Sequence, residues 1–246
     1  MPEGPSIAIL REEASAFAGR TIRRVEGNAK IDIQRLRGRR VLALRSFGKQ
    51  FLIELSGGLT VRVHLLMFGS YRIDEGRDIA PRLGLGFDEG ALNFYNCSVR
   101  LLEGDLDTLY DWRADIMSDR WDPGLARAKL REMPHTLVCD ALLDQTVFAG
   151  VGNIIKNEVL FRIRIHPLST IGALSRYKLS ELVEQARVYT FEFLAWKKAH
   201  VLAKHWLVHN RGTCPRHGIP LQRAYLGKTH RRSFFCLRCQ KLYTQE

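Results

Sequence analysis

The sequence predicts an α+β protein. An antiparallel β-sandwich with a helix ahead of it comes first, then a helical domain, then a small β-hairpin rich in cysteine and arginine. Three observations predict this order. Two strand pairs meet at glycine turns in the first 120 residues; helical periodicity takes over after Asp122-Pro123-Gly124; and three of the five cysteines fall in the last 33 residues. The divisions read from these changes are 1–121, 122–207 and 208–246.

Near the N-terminus, PSIAILREEASAFAG sets Ile7, Leu10, Ala14 and Phe17 on one helical face and ends at Gly19. KQFLIELSGGLTVRVHLLMFGSYRI holds two β-rich runs hinged at Ser56-Gly57-Gly58, and RLGLGFDEGALNFYN repeats that plan around Asp88-Glu89-Gly90. Beyond Gly124, ALLDQTVFAGVGNIIKNEVLFRIRIHP carries two apolar segments separated by residues 149–153 and closed by Pro167. SRYKLSELVEQARVYTFEFLAWKKA then predicts a longer helix burying Leu179, Leu182, Val183, Ala186 and Leu194. LQRAYLG and RRSFF read as the hairpin that presents Arg231 and Arg232.

The formal net charge is +12, which points to a polyanionic partner. From Lys197 onward there are eleven Lys or Arg and one acid, whereas the remainder is close to neutral, with 27 bases and 25 acids. Trp206, Tyr225, Phe234 and Phe235 lie in the same basic stretch, a composition that suits a folded phosphate-facing module better than a disordered tail. No apolar run reaches the ~20 residues of a membrane span. The N-terminal stretch carries Glu3, Glu12 and Glu13 in place of a signal-peptide pattern. The expectation is an intracellular protein of the cytoplasm or nucleoid, monomeric and without membrane contact.

Cys214-x2-His217 and Cys236-x2-Cys239, eighteen residues apart, have the spacing of two turn-closed ligand pairs for a tetrahedral Zn²⁺. His209 and His230 are alternatives for the histidine position. Four protein ligands leave no open site, so one structural zinc per chain is expected. The Val151-Gly152-Asn153 turn exposes backbone N–H groups at a helix start, where an anion is favoured, and Asn153 adds a side-chain donor. Cys97 and Cys139 read as packing thiols, and His64 and His166 as structural.

The opening MPEGP, the segment LLDQTVFAGVGNIIKNEVLFRIRIHP and the terminal RRSFFCLRCQ resemble, in that order, the formamidopyrimidine-DNA glycosylase and endonuclease VIII family of DNA-repair enzymes. The resemblance implies a helix–two-turns–helix motif and a bifunctional DNA glycosylase and abasic-site lyase acting on damaged DNA, expected to be duplex. By the same comparison Pro2, freed of Met1, is the nucleophile, and Glu3 shuttles protons. Lys49 contacts the phosphates flanking the lesion and assists catalysis, and Arg231 is the catalytic hairpin arginine, a part that Arg232 beside it could take. Asn153, Arg232 and Lys156 contact DNA, and Met67 and Phe68 fill the gap left by an everted base. Two departures matter. His217 stands where a fourth cysteine is usual, and FLAWKKAHVLAKHWLVHNRG leaves almost no room for the glycine-containing loop of purine-directed members. The second favours the endonuclease VIII type and oxidised pyrimidines. The alternatives are a purine-directed enzyme and a non-catalytic damaged-DNA-binding protein.

Overall fold

The structure, a computed structural model, describes residues 2–244. The chain forms two compact units that divide between Asp111 and Trp112.

In the first unit, α1 (Gly4–Glu13) starts after the extended backbone of Glu3, whose carbonyl accepts the Ser6 N–H at 2.8 Å. Pro5 suits the first turn, where its missing N–H has no intrahelical acceptor. The apolar face is as expected: Ile7, Leu10, Ala14 and Phe17 are all buried, the last two in a 3₁₀ turn at Ala14–Phe17. Two four-stranded antiparallel sheets follow. One has the order β2 (Val41–Phe47), β3 (Gln50–Leu55), β4 (Leu59–His64), β8 (Ser98–Glu103). The other runs β1 (Arg24–Glu26), β6 (Leu83–Gly86), β7 (Ala91–Tyr95), β5 (Ser70–Ile73). Phe51, Ile53, Val61 and Val63 of the first sheet share one core with Leu83, Leu85, Leu92 and Phe94 of the second, and the Phe51 and Phe94 rings stand 5.9 Å apart. Each such side chain contributes about 1.5–3 kcal/mol of burial free energy. A single turn, α2 (Leu106–Leu109), ends the unit.

The second unit begins earlier than the sequence suggested. Asp122 accepts hydrogen bonds from Gly124 and Leu125 N–H at 2.7 and 3.1 Å, so Asp122 is the N-cap of α3 (Pro123–Arg131), and Pro123 and Gly124 form its first turn. Residues ahead of it are already bound into the helical core. The Ile116 N–H donates to the Ala149 carbonyl, the Ala149 N–H to the Ala114 carbonyl, and Ile116 is fully buried. α4 (Val138–Ala141), α5 (Asn153–Arg162) and the long α6 (Arg176–Lys198) complete the helical part. On α6 the buried stripe is Leu179, Leu182, Val183, Ala186, Tyr189, Thr190 and Phe193; Leu194, expected inside, is half-buried because it falls one position off that 3.6-residue stripe.

β9 (Gln222–Leu226) and β10 (Arg231–Phe235) form the expected antiparallel hairpin, with Arg231 opposite Leu226 and Phe235 opposite Gln222. It belongs to the second unit but has a small core of its own: Phe161 from α5 packed with Val208, Cys214, Leu221, Phe234 and Cys236. Among the described residues no helix is long and apolar enough to cross a membrane.

Candidate functional site

Pro2 is partly exposed, immediately ahead of Glu3, which is 0% exposed at the N-cap of α1. α1 packs against β2 and β3, the strands joined by Gly48-Lys49. Gly48 has φ +54, a conformation that lets a two-residue turn close the hairpin. Beside Lys49, Gln50 accepts a 2.8 Å hydrogen bond from the Tyr110 hydroxyl and pairs across the sheet with His64.

His64 is the residue that the sequence left among structural histidines. Burial lowers its pKa, and the positive charges of Lys49 and Arg62 lower it further. Its Nδ1 accepts the Leu66 N–H at 3.0 Å, so the neutral ring carries its proton on Nε2. The signal available in sequence was its position at the end of β4, directly before the exposed loop.

That loop holds Leu66, Met67 and Phe68, which are 49%, 49% and 81% exposed. It is closed by the Gly69 N–H donating to the Leu65 carbonyl at 2.7 Å. A Cβ on Gly69 would lie 1.9 Å from that carbonyl oxygen, so only glycine closes the turn. Three large apolar side chains are thereby held in solvent by a tight backbone, at a cost in hydration that packing within this unit does not offset.

In the second unit, Gln145 shapes the turn ahead of α5. Its side chain accepts the Gly150 N–H at 3.2 Å and donates to the Leu143 and Val151 carbonyls. Gly150 has φ +106. Asn153 stands at the first position of α5, and its Nδ2 donates to the Arg232 carbonyl at 3.0 Å. Arg231 and Arg232 are both exposed on β10, and the Arg232 guanidinium lies 5.4 Å from the Tyr225 ring centroid.

Lys156 departs from expectation. It is 1% exposed and directed inward: its Nζ donates to Ser233 Oγ at 2.9 Å and to the Arg232 carbonyl at 3.4 Å. Three residues beyond Asn153 on a 3.6-residue helix, it shares the face packed on the hairpin, so it is not on the surface as a phosphate contact. Glu158 is also fully buried. Its carboxylate accepts the backbone N–H groups of Leu207, Val208 and His209 at 2.9, 3.0 and 2.8 Å and fixes the segment entering the hairpin module.

Cys214, His217, Cys236 and Cys239 form a group that could hold a metal ion, with all four ligand atoms within 4.8 Å of one another. The Cys214–Cys239 sulfur separation is 3.9 Å, and His217 Nδ1 lies 3.8 and 3.7 Å from the Cys214 and Cys236 sulfurs. Four ligands about 2.3 Å from a centre span tetrahedral edges of about 3.8 Å, so the donor set fits. His217 is the histidine of the group, rather than His209 or His230. His209 Nδ1 lies 3.3 Å from Asn157 Nδ2, and the His230 ring stacks on Tyr225. Gln240 braces the second knuckle by accepting the Cys236 N–H at 2.8 Å and donating to the Ile165 carbonyl at 2.9 Å. Cys97 and Cys139 are packing thiols, buried and raised to about 11 by desolvation.

Residues 1–100 match the formamidopyrimidine-DNA glycosylase N-terminal domain, and residues 114–195 the formamidopyrimidine-DNA glycosylase H2TH domain. The formamidopyrimidine-DNA glycosylase of Carboxydothermus hydrogenoformans is 32% identical over 198 residues, which are 76% of this chain and 75% of that protein. The chain belongs to the formamidopyrimidine-DNA glycosylase and endonuclease VIII family. Within the family the endonuclease VIII type is well represented. Endonuclease 8-like 3 of Xenopus laevis is 31% identical over 85% of this chain and 36% of its own length, and endonuclease 8-like 2 of Bos taurus 34% identical over 73% and 58%. The chain thus spans about a third of the endonuclease 8-like 3 proteins it matches. The fold is that of Lactococcus lactis formamidopyrimidine-DNA glycosylase bound to a FAPY-dG-containing DNA, with a TM-score of 0.83 and 23% identity over 96% of this chain and 99% of the other.

Proposed function

We propose that this family member is a base-excision DNA glycosylase with abasic-site lyase activity, directed at oxidised bases with pyrimidines favoured, and that it acts from Pro2. The observation that carries this reading is the pairing of a partly exposed Pro2 with a wholly buried Glu3 at the start of α1. An α-amine titrates near ~8, so once Met1 is removed a usable neutral fraction exists at physiological pH. The neighbouring helix N-terminus disfavours the ammonium further.

The nitrogen lone pair attacks C1′, the N-glycosidic bond breaks with its electrons leaving on the base, and the N–H proton of the amine passes to the departing base. Glu3 protonates the ring oxygen as the sugar opens, giving an iminium between Pro2 and C1′. A secondary amine cannot shed that charge by losing an N–H proton. The cation therefore draws electrons from the C2′–H bond. Loss of that proton expels the 3′-phosphate by β-elimination, and a second proton loss expels the 5′-phosphate by δ-elimination. Water then hydrolyses the conjugated iminium that remains and restores the amine.

Lys49 and the Nε2–H of His64 supply donors for phosphates flanking the lesion. In the second unit the N-terminus of α5 with Asn153, and the arginines Arg231 and Arg232, offer donors to DNA phosphates. Met67 and Phe68 occupy the space vacated when the damaged nucleotide is everted, since C1′ cannot be attacked inside a stacked duplex. Cys214, His217, Cys236 and Cys239 hold a structural Zn²⁺ that closes the hairpin module. In this reading the first unit, to Asp111, carries the nucleophile, and the second carries the phosphate-binding turn and the hairpin. The test is incubation of the processed protein with duplexes carrying thymine glycol or 8-oxoguanine. Base release with nicking to phosphate ends on both sides, faster for thymine glycol, supports the proposal; binding without cleavage identifies a damage-binding protein instead.

A further inference from the structure

β10 is one edge of a two-stranded sheet, and a bare edge leaves alternate N–H and C=O groups without strand partners. Here α5 supplies those partners from side chains. The Arg232 carbonyl accepts from Asn153 Nδ2 at 3.0 Å, Asn157 Nδ2 at 3.3 Å and Lys156 Nζ at 3.4 Å. The Phe234 N–H donates to Asn157 Oδ1 at 3.2 Å, and Lys156 also reaches Ser233 Oγ at 2.9 Å. Positions 153, 156 and 157 are i, i+3 and i+4 on one helical face, so three side chains follow the edge of β10 as a third strand would.

The residues involved are deep inside. Lys156 is 1%, Asn157 2% and Ser233 0% exposed. A lysine withdrawn so far from water needs fixed acceptors, and two of its acceptors belong to the strand that presents Arg231 and Arg232. Cutting these bonds would leave a buried amine and a buried hydroxyl short of partners while freeing the arginine-bearing strand to shift.

We propose that Lys156, with Asn157, is a positioning residue: it fixes the backbone of β10 against α5 and so sets where the hairpin arginines stand. The consequence for DNA rests on the function proposed above; the consequence for the hairpin does not. The test uses the full metal-loaded chain. Lys156→Met keeps the length of the side chain and removes its donor, and Ser233→Ala removes the acceptor from the opposite side with little change in volume.

Hydrogen exchange at the Phe234 amide is read first. Protection at Phe234 falls about tenfold in each variant, while amides of α6 and the metal content stay native. Equilibrium binding to a duplex with a tetrahydrofuran abasic analogue is read second. The slope of log Kd against log salt drops by about one, as for the loss of one phosphate contact. The effects of Lys156→Met and Arg231→Ala or Arg232→Ala are non-additive for the arginine that is positioned. Unchanged Phe234 exchange in both variants overturns the proposal. So does a binding loss that is additive with both arginine substitutions and leaves the salt slope unaltered, because that is the behaviour of a merely structural residue. If the native chain binds no abasic duplex, the functional reading has failed, and the exchange measurement still decides whether Lys156 holds the strand.

Discussion

Glu3 and Gly69 show how much a single residue determines here. A carboxyl with no exposed surface, next to the Pro2 nitrogen that removal of Met1 would free as an amine, is suited to move protons rather than to sit in solvent. Glu3→Gln keeps the shape and removes the titrating group. Single-turnover base release is expected to fall about 10²–10⁴-fold while the melting temperature changes little. Equal rates in the two proteins would remove Glu3 from the chemistry. Gly69→Ala is a backbone test, because its Cβ would meet the Leu65 carbonyl at 1.9 Å. The loop must move, and Met67 and Phe68 with it. Affinity for lesion-bearing duplex is expected to fall while sandwich stability, read by thermal melting, is kept to within about 1 kcal/mol.

Among the elements, the hairpin module depends most on its ligands. Its core is a handful of side chains around Phe161, Phe234 and Cys236, too few to hold two short strands without a cross-link. Chelation is expected to abolish DNA binding and melt the module while the β-sandwich keeps its circular-dichroism signal. His217→Cys retains a metal by elemental analysis and His217→Ala loses it. The Cys-x2-His and Cys-x2-Cys spacing made this element legible in the sequence, and the glycine turns did the same for the two sandwich hairpins. Three features were not legible. The role of Asp122 as a helix cap was hidden because Asp-Pro-Gly reads equally well as a break between a β part and a helical part. The inward course of Lys156 depends on β10 lying against α5, a contact between residues over 70 apart in sequence. The place of His64 beside Lys49 is set by cross-strand register, which no local pattern encodes.

For the molecule as a whole, net charge and the histidines lowered by burial, His209 furthest among them, shape the response to solution conditions. With eleven bases and one acid from Lys197 onward, DNA affinity is expected to fall steeply with salt, by about 10³-fold or more between 50 and 200 mM if six or more phosphates are neutralised. A flat salt response would show that the basic module does not face DNA. His209 is held down to about 4, chiefly by burial and secondarily by the charge of Lys156. Its folded pKa lies below the unfolded value, so its contribution to stability is complete above about pH 6.5 and is lost as pH falls toward 4, at up to about 1.4 kcal/mol per pH unit. Thermal melts of the native chain should therefore steepen in acid between those limits, and His209→Gln should flatten that part of the profile.

The central claim is that the nitrogen of Pro2 becomes covalently joined to deoxyribose. It is tested most directly by borohydride reduction of the processed protein during reaction with an abasic or thymine-glycol duplex, followed by peptide mass mapping of any adduct. The account predicts a stable protein–DNA adduct whose modified peptide begins at Pro2. Cleaved DNA with no adduct, or an adduct on a lysine elsewhere in the chain, would contradict it.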